Sequence, residues 1–228
     1  MFPLGNVFVP GDMVTLRVFE DRYVEMIRSL LGSDNETLEF GTVLIDKGSE
    51  VGGKDIRRTV GVNVVVKQCE VSDTGGYVVA GVATQRLEVR EWRIDDPFPI
   101  ADVTCPPVEL GSDMFVSRLS RVAQMVRSLL VLMLEDASSS TADTRKIGGE
   151  DALDEYLPPN ISAPLAHVAA GSIEPSESDA ASWAVIRAVP CGPFDKYSLL
   201  AARTLEERLA QTEQVVSHLR EMVEFRRQ

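Results

Sequence analysis

The chain has 228 residues, 44% of them hydrophobic and 25% charged, with a formal net charge of −12. That is ordinary globular composition, with material for one large domain or two small ones. The acidic balance, without any run of Lys or Arg, repels phosphate backbones and argues against nucleic acid as a partner.

The longest unbroken apolar run is "LLVLML" at 129–134, far below the roughly 18 residues a transmembrane helix needs, so no membrane partner is expected. Met1 leads directly into "FPLGNVFVPG", without a basic region and a long apolar stretch behind it, so no secretory signal is read. Cys69, Cys105 and Cys191 are isolated and odd in number. They fit neither a disulfide framework nor a zinc site, and the expectation is a soluble protein of a reducing, cytoplasmic compartment.

Residues 1–105 read mainly as strands. "VTLRV" (14–18) alternates apolar and polar, and "FGTVLI" (40–45) is a buried run. Between 18 and 40 the stretch "DRYVEMIRSLL" (21–31) reads as one helix stopped by Gly32, with Tyr23, Ile27 and Leu30 on one face. "TVGVNVVVKQCEV" (59–71) and "GYVVAGVATQRLEVREW" (76–92) are valine-rich strands joined as a hairpin by "SDTGG". "FPIADVTC" (98–105) is the last strand. Several strands with a single early helix suggest a small closed or nearly closed barrel.

After "CPPVELG" the period becomes helical. Phe115, Leu119, Val122, Val126, Leu129 and Met133 share one stripe of a helix from Ser112 to Glu135, capped by Ser112 or Asp113. "DASSSTADTRKIGGED" (136–151) has almost nothing to bury and reads as a mobile loop. Helices are then expected over 179–189, over 194–202, and from Thr204 onward. The last opens with the capping box Thr204-x-x-Glu207 and has the stripe Leu205, Leu209, Thr212, Val216, Leu219, Val223. The fold class is therefore α+β: a β-rich lobe over 1–110 followed by a helical lobe over 111–228 with the flexible loop at about 136–151.

"GSEVGGKD" (48–55) fills seven of the eight positions of a phosphate-binding P-loop. Such a loop needs a Ser or Thr in the eighth place and a helix starting there, so that backbone amides and the helix dipole face the anion. Here the eighth residue is Asp55 and the following "IRRTVGVNVVV" reads as a strand, so a glycine-rich connection between strands is the better reading. His167 and His218 form no HExxH arrangement, and neither a GxSxG elbow nor an SxxK is present. No catalytic residue, no cofactor-binding residue and no metal ligand is assigned, and the chain is read as a non-enzyme without cofactors.

The order of motifs resembles one family. "FPLGNVFVPGDMVTLRVFEDRYVEMI" is similar to the opening signature of the Lon protease N-terminal domain, "FGTVLIDKGSEVGG" to its second, and "VGVNVVVKQCEVSDTGGYVVAGVATQRLEVREW" to its third. "SWAVIRAVP…LLAARTLEERL" resembles its helical half more loosely. Val9 stands where that family usually has Phe, and Ala83 where it usually has Gly. The resemblance implies a PUA-like β-barrel lobe with one helix, followed by an α-helical bundle. It further implies a stand-alone substrate-recognition domain, without ATPase or protease modules, that serves proteolysis.

On that basis the expected function is a non-catalytic protein- or peptide-binding module for exposed apolar segments. Its partners would be unfolded or client polypeptides, with a protease or chaperone as associated machinery. One alternative is an assembly or regulatory partner of a single folded protein. Another is an RNA-binding PUA-like domain, which the acidic charge disfavours. Trp92 and Phe98, flanking the acidic turn "RIDDP", are the candidate polypeptide contacts, with a core position at the lobe junction as the structural reading. Arg17, Glu20 and Arg22 are expected to form an ion-paired corner between strand and helix.

Overall fold

A long hairpin organises the first part of the chain. In the computed structural model, which describes residues 1–34, 36–48, 55–73, 75–139 and 152–227, β4 (Ile56–Val71) and β5 (Tyr77–Trp92) run antiparallel from Val71–Tyr77 to Val60–Glu88. Gly76, at φ 103°, makes the turn, and a side chain there would meet the Val18 carbonyl oxygen. The remaining strands are β1 (Phe2–Leu4), β2 (Met13–Val18), β3 (Glu39–Lys47) and β6 (Ala101–Thr104). They complete a six-stranded sheet in the order β1-β3-β4-β5-β2, with β6 pairing the far end of β5. Only β1 is parallel to its neighbour, β3. The fold class is the expected α+β, with the sheet curled into a half-barrel.

Shifts of register within β4–β5 and β3–β4 mark where the strands bend. At Gly61 the neighbouring strand comes so close that a Cβ would lie 1.9 Å from the Thr42 carbonyl oxygen. β2 shows the anticipated alternation, with Val14 and Val18 buried and Met13, Thr15 and Arg17 exposed. α1 (Asp21–Leu31) buries Tyr23, Val24, Met26 and Ile27. Tyr23 stacks on Phe2 at a centroid distance of 4.1 Å, and Phe2 leans on Phe40 at 6.0 Å. Burial pushes the Tyr23 phenol up to about 12, against the opposing pull of Arg22.

Of the expected corner, Glu20 and Arg22 do pair, at 3.2 Å, and Arg22 lies over the Tyr23 ring. Arg17 does not join them. It sits on the exposed face of β2, because Val14 and Val18 claim the buried one, and has no ion pair among the described residues.

The chain divides into two compact units, Met1–Pro107 and the helical Val108–Gln228. α2 (Asp113–Ser139) contacts α4 (Pro159–Ala169), α5 (Ser178–Ala188) and α7 (Leu205–Arg226). The short helices α3 (Ala152–Tyr156) and α6 (Pro193–Ala201) and a 3-10 turn at Pro175–Glu177 complete the unit. Phe115, Leu119, Val122, Val126 and Leu129 are buried as their spacing requires, and Met133 packs partly against the same core. From α7 come Leu205, Leu209, Val216 and Val223.

The Thr204 hydroxyl caps α7 by accepting from the Glu207 amide at 3.1 Å. The Glu207 carboxylate reaches back to the Arg203 amide rather than to that of Thr204. Ion pairs from Arg118 to Glu206 and from Arg227 to Glu135 show that α2 and α7 run parallel. Residues 136–139 are the last turn of α2 and not part of a loop; the rest of that predicted loop, 140–151, lies outside the described residues. Among the described residues no helix is long and apolar enough to cross a membrane.

Replacing Gly61 by Ala should cost about 2–3 kcal/mol, because the clash is with backbone and cannot be relieved by a rotamer change. Urea denaturation checks this, and a midpoint shift of less than about 0.5 kcal/mol equivalent would contradict the close approach.

Candidate functional site

Trp92 is the last residue of β5, and the register pairs it with Ala101. The connection 93–100 turns back through hydrogen bonds from the Arg93 amide to Ile100 O at 2.8 Å and from the Asp96 amide to Ile94 O at 3.0 Å. Phe98 lies within this connection. Both candidate residues are half-buried, and their rings make no ring contact with each other. Around them Ile94 is 87% exposed, Ile56 57% and Ile100 41%, so this end of the sheet carries uncovered apolar surface.

Sequence reasoning missed what holds Trp92 in place. The Arg57 guanidinium lies over the indole at 4.7 Å from the ring centroid. It is itself gripped from two sides. Asp55 accepts from Arg57 Nε at 2.6 Å, and Asp95 accepts from Nη1 at 3.1 Å and, more closely, from Nη2. The Arg57 side chain is only 10% exposed and that of Asp55 2%. Burial works against charge on both, yet the mutual hydrogen bonds prevail. They hold the Asp55 carboxyl below its ordinary range and the Arg57 guanidinium above its own.

The chain start joins the same cluster. The Met1 ammonium donates to Pro99 O at 2.8 Å. Burial, then the Arg57 charge, bring its pKa down from 8.0 to about 6, with Asp95 opposing.

Asp55 therefore has a different role from the one its position in "GSEVGGKD" raised. It is a buried counterion, and a strand rather than a helix follows it. Residues 49–54 of that motif lie outside the described residues. The one available clue was an Asp two positions before an Arg at a strand start, a pattern too common to single out. Among the described residues no group of three or more His, Cys, Asp or Glu is placed to hold a metal ion. The arrangement offers contact chemistry: an aromatic platform, exposed isoleucines, and carboxylates at the rim.

Arg57→Ala should destabilise the protein by about 3–5 kcal/mol, since it strands the buried Asp55 carboxylate. Chemical denaturation with a double variant Arg57→Ala, Asp55→Ala, expected to recover part of the loss, checks that assignment. Stability should also depend on pH through Met1. The folded state gives up this proton before the unfolded state does, so burying the charge costs stability below about pH 6. Stability then rises by roughly 2–3 kcal/mol as pH climbs from 6 to 8. Unfolding free energies measured across that window check it, and a flat or falling profile would contradict the buried ammonium.

Two of three comparisons find proteins that this chain is similar to. The family model described as the ATP-dependent protease La (LON) substrate-binding domain matches residues 1–218. Among solved structures, the crystal structure of a Lon N-terminal domain protein from Xanthomonas campestris matches at a TM-score of 0.55 and 19% identity, covering 92% of this chain and 93% of that one. The N-terminal domain of a Mycobacterium avium complex Lon protease matches at 0.56 and 15%, covering 94% and 96%. A comparison with curated protein sequences gives no match. At these identities the two structures attest the fold, while the family model spans nearly the whole sequence. The chain belongs to the family of Lon protease substrate-binding domains.

Proposed function

We propose that the chain is a non-catalytic binding module for exposed apolar segments of unfolded or client polypeptides, acting through a strip built on Trp92 and Phe98. Membership of a substrate-binding domain family supports the general role. The observation that carries the finer reading is the clamped indole. Two carboxylates fix Arg57, and Arg57 fixes one face of Trp92, so the ring is held ready without loss of side-chain freedom on binding.

The exposed Ile94 and Ile100 extend the apolar surface, and the exposed Glu91, Asp95 and Asp96 line it with negative charge. A client segment would gain affinity from apolar burial and selectivity from basic residues flanking its apolar core. A strip of this size belongs to the small end of interfaces, so affinity on the order of 1–100 μM is expected. The module acts in a cytoplasmic setting, alongside a protease or chaperone that supplies or consumes the client.

Fluorescence anisotropy with a labelled model protein, reduced and denatured in one arm and native in the other, tests the reading. Binding is expected for the denatured form alone, weakened about tenfold or more by Trp92→Ala, Phe98→Ala in a variant whose circular dichroism is unchanged. Binding of only the native form would replace this function by that of a partner for one folded protein. Binding indifferent to the double substitution would move the site elsewhere.

A further inference from the structure

The helical unit carries a cleft lined by arginines. Arg118, Arg121 and Met125 follow one face of α2, and Arg220 and Glu213 come from α7, so that together they line a cleft of about 340 Å³. Its lining includes Val122, 2% exposed, and the half-buried Met125. In a chain of net charge −12, three guanidiniums line one concavity; among the described residues Glu213 lines it with them, and Glu206 and Glu224 pair with Arg118 and Arg220 at its edge.

These cations are unevenly satisfied. Arg118 reaches Glu206 through Nη1 at 2.6 Å, but Glu213 only at 3.7 Å. Arg220 reaches Glu224 through Nε at 2.8 Å, which leaves its terminal nitrogens outside that bond. Arg121 is exposed and has no hydrogen bond or ion pair with any described residue. Arginines on a helix surface are ordinarily solvated or paired along their own helix. Here they come from two helices, point at one hollow, and stand over apolar side chains.

We propose that this cleft binds an acidic side chain of a polypeptide segment, whose neighbouring apolar residue rests on the half-buried Met125. A guanidinium fork matches a carboxylate in shape and number of donors, and Arg121 and the free nitrogens of Arg220 supply that fork. The volume is at the low end of ligand clefts and suits one or two side chains. The apolar lining is wasted on a bare inorganic anion. Glu206, Glu213 and Glu224 interrupt the positive patch within a few ångströms, which makes it too short to follow a nucleic-acid backbone. This site shares no residue with the Trp92–Phe98 strip and stands or falls without it.

The test uses the intact chain at low salt and a fluorescein-labelled peptide of alternating Asp and Leu, against the same peptide with Asn for Asp. The Asp peptide should bind at least about tenfold more tightly than the Asn peptide, in line with hydrogen bonds to charged groups. Arg121→Gln should lose most of that difference while the unfolding midpoint stays put, and Arg121→Lys should keep part of it. Equal binding of the two peptides would overturn the proposal. So would an unchanged affinity in a folded Arg121→Gln, Arg220→Gln double variant, or displacement by inorganic phosphate as effective as by unlabelled Asp peptide.

Discussion

A buried guanidinium cannot escape its charge by giving up a proton, so the protein around Arg57 has to bring carboxylates to it. The two that it recruits come from opposite directions along the chain. Asp55 immediately precedes β4, and Asp95 lies in the connection between β5 and β6. One side chain thereby ties the entry of the longest hairpin to its exit. The same connection provides the carbonyl of Pro99 that receives the Met1 ammonium, so the chain start is drawn to the cluster as well. Trp92 stays where it is because its neighbour is locked rather than because it is buried. An indole on an unclamped strand end would rotate and lose that freedom on binding.

The helical unit uses the same combination to a different end. Arg208 donates to Asp179 at 2.8 Å and to Ser182 at 2.8 Å, and lies 3.6 Å from the Trp183 ring centroid, while the indole N–H donates back to Asp179. Trp183 is 3% exposed. There the arginine, carboxylate and tryptophan close on one another and join α5 to α7, leaving no ring face for a visitor. At Trp92 the guanidinium covers one face and the ring remains half-buried. That difference in exposure, with the chemistry held constant, separates a structural knot from the proposed contact surface.

Periodicity made the large elements legible. The alternation in β2, the valine-rich arms around "SDTGG", and the apolar stripes of α2 and α7 each repeat often enough to outweigh local noise. Elements that rest on few residues or break a local rule were lost. β1 is three residues long and exists because it can lie parallel to β3, which no local pattern announces. α4 was hidden by Pro159 and Pro164. Pro159 costs nothing in the first turn, where its missing N–H has no partner anyway. Pro164 gives up an internal bond, and the burial of Ser162, Leu165, Val168 and Ala169 holds the helix together regardless. The candidate strip was half legible: its aromatic residues stand out by type, whereas the arginine that orients one of them lies 35 positions upstream and is found only by folding.

Charge gives the two proposed surfaces different kinds of selectivity. An apolar strip alone would accept any hydrophobic segment, because burial of apolar area is indifferent to sequence. Carboxylates such as Glu91, Asp95 and Asp96 at its edge change the question from whether a segment is apolar to what flanks it. The α2–α7 cleft asks the opposite question through Arg121 and Arg220. Folded proteins also show single apolar side chains next to charges, but a chain that has lost its fold offers such pairs in longer extended runs. Under the proposed function, discrimination between unfolded and folded polypeptide would rest on those longer runs, and neither surface would need to bind tightly to achieve it.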